Sequence, residues 1–211
     1  MRLTPRKLEA LRARLSGELI VAGHTQYDES REIWNRCLDR YPGVIVRCTT
    51  AADVMAAVQF GREHDVEIAI KGGGHHAAGY ASTDGGVLLD LSGLRAIEVN
   101  PEERYAVAQA GLTWAHFDQV TQAFGLACTG PIVSMTGIAG FTLGGGLAGC
   151  IAKSVLAATT SLGLRSSLRM ASWSRPVTLT IATCSGAFAA AAGTLGSSPR
   201  WASSSTLLAR P

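Results

Sequence analysis

The sequence predicts an α/β (α+β) fold in which short strands alternate with helices. Three observations lead there. Between residues 44 and 124, strand-like segments take turns with segments whose apolar residues recur at helical spacing. Two glycine-rich runs, at 72–74 and 137–149, sit beside predicted strands. With 47% hydrophobic and 17% charged residues, the 211-residue chain has the composition of packed domains, and it is long enough for one good core or two small ones.

The elements follow in order. Residues 5–16 (PRKLEALRARLS) repeat apolar positions at helical spacing, which predicts a short amphipathic helix within an N-terminal extension over 1–25. Val44–Val46 reads as a strand. Thr49 or Thr50 supplies a capping hydroxyl for a helix over 51–65, with Val54, Ala57, Val58 and Phe60 on its apolar side. Glu67–Ile70 is a strand that runs into the first glycine loop, and Gly86–Leu91 is a buried strand. Ala96–Val99 and Tyr105–Ala110 alternate like paired strands about a turn at Asn100–Glu103. Leu112–Phe124 is a helix, and the second glycine run follows it.

Charge narrows the function classes. All sixteen acidic residues precede residue 119, and residues 148–211 hold six basic residues and no acid. That thinly spread excess is not a nucleic-acid footprint. Five basic residues in 1–14 are followed by no apolar run, so no signal peptide is read. The five cysteines are odd in number and scattered, which favours thiols in a reducing, cytoplasmic compartment over a disulfide frame. Residues 176–199 carry no charge, but small polar residues with Pro176 and Pro199 make a poor membrane span.

The chemistry concentrates in IKGGGHHAAGYAS, residues 70–82. Glycines after a strand let backbone amides turn toward a ligand with no Cβ in the way, and so cradle phosphate oxygens; Lys71 would add charge. The plainer reading is a surface turn. The run is not G-x-G-x-x-G opening a helix, and it lacks the G-K-[ST] of a triphosphate-binding loop. Adjacent His75 and His76 point apart on an extended segment, and no third ligand stands at metal spacing, so no metal site is predicted. One histidine as a reactive or covalent anchor, with the other packed or solvated, is the sharper idea. The second run, VSMTGIAGFTLGGGLAG, makes two phosphate-type loops in one domain, which is harder to dismiss as turns.

These residues resemble a known family. KGGGHHAAGYAS is similar to the R-[SG]-G-G-H-x-x-x-G segment of flavin oxidoreductases of the vanillyl-alcohol oxidase superfamily, whose FAD domain is of the p-cresol methylhydroxylase type. TGIAGFTLGGGLAG resembles their second FAD loop, and YDESREIWN and TTAADVMAAVQFGREH fit the opening of the berberine-bridge-enzyme-like branch. The likeness covers about 26–147. It implies an FAD-binding domain of two small α/β subdomains with the cofactor between them, and hydride transfer from a small-molecule substrate to flavin. Carried over by position, His75 would bond covalently to the flavin 8α-methyl group. Lys71, Gly72, Gly73, Gly74, His76 and Gly79 form the pyrophosphate segment, and Gly137, Gly140 and Thr142 would line the flavin. Lys71 stands where the family has arginine, which keeps the charge but loses the planar fork. Val133 falls near the position of a second, cysteinyl bond in some members, so this chain resembles the single-bond type.

The resemblance stops at Leu147. Family members continue with a tryptophan, a basic segment, D-N-L and later F-W-x-x-R-G-G-G-G-N-F-G. This chain continues with nineteen Ser/Thr residues and no acid over 148–211. Loss of one base after Leu147 would account for the change: with codons chosen within the genetic code and read one base earlier, AGCIAKSVLAATTSLG gives GWLHRKVGLGCDNLAG and CSGAFAAAAGTLGSS gives LFWGVRGGGGNFGVV. The expected tail is therefore out of frame, poorly packed, and helical at most in Ala-rich pieces such as 186–192. Three functions follow for comparison: a truncated FAD-linked oxidoreductase, an FAD- or nucleotide-binding module without turnover, and a small interaction protein whose glycine loops are only turns.

Overall fold

The computed structural model describes residues 3–102, 105–128 and 130–144, together with the strands Arg165–Met170 and Val177–Ala182. Two four-stranded sheets organise it. The first contains β1 (Glu18–Ile20), β2 (Val44–Arg47), β3 (Ile68–Lys71) and β4 (Val87–Asp90) in the order β1-β2-β4-β3. β1 runs antiparallel to β2, whereas β2 and β3 both lie parallel to β4. The second sheet contains β5 (Ile97–Asn100), β6 (Tyr105–Gln109), β7 (Arg165–Met170) and β8 (Val177–Ala182) in the order β5-β6-β8-β7. Five helices accompany them: α1 (Pro5–Arg12), α2 (Tyr27–Arg31), α3 (Ala51–Glu63), α4 (Trp114–Gln122) and α5 (Ile138–Leu143).

The parallel strands β2 and β4 are apolar up to their last residue, the pattern of strands covered on both faces. Val44, Ile45, Val46, Val87, Leu88 and Leu89 are fully buried. Helix α3 covers one face through Val54, Ala57, Val58 and Phe60. Its start is fixed by a capping box: Thr50 Oγ1 accepts from the Asp53 N–H, while Asp53 accepts from the Thr50 N–H. Asp53 also accepts from the N–H groups of Ser16, Gly17 and Thr49. Burial would raise the Asp53 pKa, but these backbone donors outweigh it and bring the carboxyl down to about 2. A second core of Trp114, Phe117, Leu126 and Ile138 closes beneath β6.

Three expectations change. Residues 1–25 are no separate extension: β1 pairs with β2, and Leu11, Leu19 and Ile20 are buried in the first unit. The second glycine run contains a helix, α5, because Ile138 and Phe141 have an apolar face to bury against Trp114 and its neighbours, while Ala139 packs into the first core. The tail contains a strand pair, with β7 antiparallel to β8 and β8 parallel to β6. VTLTIA alternates apolar residues with β-branched threonines, a strand pattern that outweighs the weak overall composition. The Ala-rich piece 186–192 lies outside the described residues.

Candidate cofactor site

The parallel arrangement aims the first glycine loop. Parallel α/β sheets bind ligands beyond the carboxyl ends of their strands, and residues 72–86 form the long return from the end of β3 to the start of β4. The strand ends Arg47, Asp90 and Lys71 stand in register across β2, β4 and β3. Asp90 Oδ2 lies 3.6 Å from Arg47 Nε and 3.9 Å from Lys71 Nζ. Lys71 Nζ also donates to the Ser30 carbonyl oxygen of α2. Burial lowers the lysine pKa and the adjacent Asp90 carboxylate opposes that shift. Lys71 is therefore only 8% exposed and does not line the cleft.

The two glycine loops touch. A Cβ built on Gly73 would lie 2.2 Å from the Gly137 nitrogen, and one on Gly137 would lie 2.3 Å from the Gly73 nitrogen. No side chain fits between them. Gly74 adopts φ +70°, in the left-handed region that glycine occupies without strain. The N–H groups of Gly72, Gly73, Gly74, His75 and His76 have no protein partner among the described residues, and neither has that of Gly137. A row of backbone N–H groups without protein partners at a cleft is a surface that can receive the oxygens of an anion.

These residues line a cleft of about 500 Å³, within the range of small-molecule and cofactor sites. Gly72, Gly73, Gly74, His75 and His76 of the first loop and Gly137 and Gly140 of the second all line it. Thr142 does not line it: the residue is fully buried, and its Oγ1 has no partner. Gly79 does not line it either, and stands at φ +75° against Leu38. The histidines take different neighbours. His75 stacks on Trp34, with ring centroids 5.7 Å apart and planes 20° from parallel, and burial holds its pKa below the ordinary histidine value. His76 is exposed, lies 4.5 Å from the Tyr80 ring, and accepts the Ala78 N–H at Nδ1. Trp34 is tied to the loop by donating its N–H to the Gly74 carbonyl at 3.0 Å, and Asn35 Nδ2 donates to the Ala77 carbonyl at 2.8 Å. Sequence reasoning missed Arg40 as a lining residue; it sits outside either glycine motif, and only its tertiary bonds bring it there. Val133 is exposed beside the cleft residue Thr136. Among the described residues, no three His, Cys, Asp or Glu side chains are placed to share a metal ion.

A glycine-lined cleft with two touching loops thus stands on an α+β frame, beyond the carboxyl end of β3. Residues 42–168 match the FAD binding domain family, and the chain belongs to it. The match runs past Leu147, so the likeness extends further than the quoted motifs do. The chain is 32% identical over 150 residues to (R)-6-hydroxynicotine oxidase of Paenarthrobacter nicotinovorans, covering 71% of this chain and 32% of that protein. An uncharacterized FAD-linked oxidoreductase of Bacillus subtilis (strain 168), YgaK, is 30% identical over 136 residues, 64% of this chain and 30% of its own. Among solved structures, 6-hydroxy-D-nicotine oxidase from Arthrobacter nicotinovorans aligns with a TM-score of 0.65 at 32% identity, covering 68% of this chain and 32% of that one. BBE-like 1 of Physcomitrella patens aligns with a TM-score of 0.68 at 26% identity, covering 74% and 34%. These relatives are FAD-linked oxidoreductases of the vanillyl-alcohol oxidase superfamily and its berberine-bridge-enzyme-like branch. The chain spans about a third of their length.

The residues present fit FAD. The absence of a Cβ at Gly73 and Gly137 lets the two loops meet beside the cleft, and the unpartnered amides from Gly72 to His76 supply donors for a diphosphate lying in it.

Proposed function

We propose that residues 26–147 hold FAD by its diphosphate in the cleft lined by the two touching glycine loops, and that the protein is an oxidoreductase acting on a small molecule. The observation that carries this reading is the row of unpartnered N–H groups from Gly72 to His76, set against Gly137. Flavin accepts a hydride from substrate and then passes the electrons on, commonly to oxygen; the protein supplies position and electrostatics. In this reading His75 is the covalent anchor. Its half-buried ring, stacked on Trp34, is kept neutral and so retains a nitrogen lone pair. His76 is the solvent-side neighbour. Thr142 and Lys71 support the loops from behind rather than touching the cofactor.

A small-molecule substrate is the class supported by the relative named for 6-hydroxynicotine. Scattered cysteines favour a cytoplasmic location, and among the described residues no helix is long and apolar enough to cross a membrane. The direct test is a spectrum of the purified chain after incubation with FAD, then acid precipitation. A yellow soluble complex supports the reading; a colourless protein at saturating FAD contradicts it. For a frame-restored protein, colour should survive acid, and should be lost with His75→Ala but not with His76→Ala.

We also propose that residues 148–211 are read in a frame displaced by one base. Beyond the two motifs given above, Met170 and Trp173 have single codons. In the displaced frame residue 171 is therefore glycine whatever the codon choice, and residue 174 is Val or Glu. Codons can be chosen so that 164–176 spell VEVVLADGELVTA, two alternating runs about an Asp-Gly turn, which is a hairpin signature. Sequencing the gene across the Leu147 codon decides it: an uninterrupted frame whose codons do not yield these motifs removes the proposal.

A further inference from the structure

The diphosphate of FAD carries two negative charges, and backbone amides offer only partial positive ones. The cation that the sequence suggests, Lys71, is turned to Asp90 and Ser30. Among the described residues that line the cleft, Arg40 is the one lysine or arginine. Its Nη1 donates to the carbonyl oxygens of Gly79 at 3.3 Å and Ser82 at 3.0 Å, both in the connection that carries the glycine loop. Nε and Nη2 have no protein partner among the described residues. The main chain at Arg40 is also fixed: Arg31 Nη1 donates to its carbonyl at 3.3 Å, and Arg31 is itself bonded to Asp28 and Asp39 and lies 4.1 Å from the Tyr41 ring centroid. Glu67, the cleft's carboxylate, precedes β3 and so stands about 16 Å along the chain from Gly72.

We propose that Arg40 is the cation that pairs with the cofactor diphosphate, holding it against the amides of Gly72–Gly74. This rests on the FAD reading above. Two carbonyl bonds aim the guanidinium, and its remaining donors are left for anionic oxygens, which guanidinium groups bind with two parallel hydrogen bonds. Lys71 and Arg40 thus divide the work: the lysine holds α2 and the strand ends together, and the arginine meets the ligand.

The test is calorimetric binding of ADP and of adenosine to the 211-residue chain. Arg40→Gln should weaken ADP about ten- to a hundredfold, the loss expected for one charge-assisted hydrogen bond. Adenosine, which lacks phosphate, should bind the variant as it binds the wild type. Arg40→Lys should recover part of the ADP affinity, because charge is restored without the fork. Thermal unfolding of both variants separates a damaged loop from a lost contact. Unchanged ADP binding by Arg40→Gln, or equal losses for ADP and adenosine, would overturn the proposal. If Gly73→Ala abolishes ADP binding and Arg40→Gln does not, the glycine-loop reading stands and Arg40 alone is wrong. If the wild type binds neither ADP nor FAD, both readings fall.

Discussion

Replacing Gly73 by alanine should force the two cofactor loops apart. The added Cβ would lie 2.2 Å from the Gly137 nitrogen, 2.7 Å from its Cα and 3.1 Å from the Met135 carbonyl oxygen. Ordinary contact begins at 3.4 Å, so the backbones must separate by 1.2 Å (3.4 − 2.2). Each obstacle is main chain, which has no rotamer to give way. Overpacking of this kind costs about 1–3 kcal/mol, equivalent to roughly 2–12 °C in Tm for a domain of this size. FAD affinity should fall further, because the loop amides would no longer stand against Gly137. Gly137→Ala should behave alike, with its Cβ 2.3 Å from the Gly73 nitrogen. Gly140→Ala is the control. Its Cβ would meet nothing within 4 Å, and the residue lies inside α5. Alanine there should leave Tm unchanged or raise it, since it is favoured over glycine in a helix by about 0.5–1 kcal/mol. Thermal unfolding by circular dichroism, paired with FAD titration, reads both effects. A Gly73→Ala protein that unfolds with the wild type and binds FAD equally well would refute the reasoning, as would a Gly140→Ala protein whose Tm falls as far.

Asp53 should make stability depend on acid. Its folded pKa of about 2 lies below the ordinary 3.8, so its contribution is complete above about pH 4 and is lost as pH falls toward 2. The difference is worth about 2 kcal/mol, and Asp53→Asn should flatten the stability profile in that window when measured by denaturant titration. Thr142→Val should stabilise the chain by about 1 kcal/mol, because it removes a fully buried hydroxyl with no partner; a loss in denaturant midpoint would contradict this. His75 should titrate below the ordinary histidine value in an NMR pH series, because burial disfavours the imidazolium. Its neutral-state contribution is therefore present above about pH 6.5 and lost as pH falls through the lower folded value. Trp34→Ala, which uncovers the ring, should move the titration back up.

The first unit was largely legible from sequence. Three apolar runs, one capped helix and a glycine loop in a β-α-β order leave few arrangements; the sequence narrowed the cap of α3 to Thr49 or Thr50, and the structure places it at Thr50 with Asp53. The touching of the two glycine loops was legible only through resemblance, since nothing local links Gly73 to Gly137. Lys71 was misjudged because its neighbours in sequence are glycines, while its partner Asp90 is set by strand register. Arg40 carried no local signal: its place depends on carbonyls some forty residues onward. β1 is three residues long and carries too little pattern to declare itself. Gly140 sits in a helix because packing of Ile138 and Phe141 overrides the composition of a glycine-rich run.

The central claim is that the amides of the two glycine loops receive the FAD diphosphate. Amide chemical-shift mapping of the isotope-labelled chain during FAD titration tests it most directly. The account predicts that the largest changes fall on the N–H groups of Gly72, Gly73, Gly74, His75 and Gly137, and that ADP reproduces them. FAD that binds while leaving those five amides unmoved would contradict it.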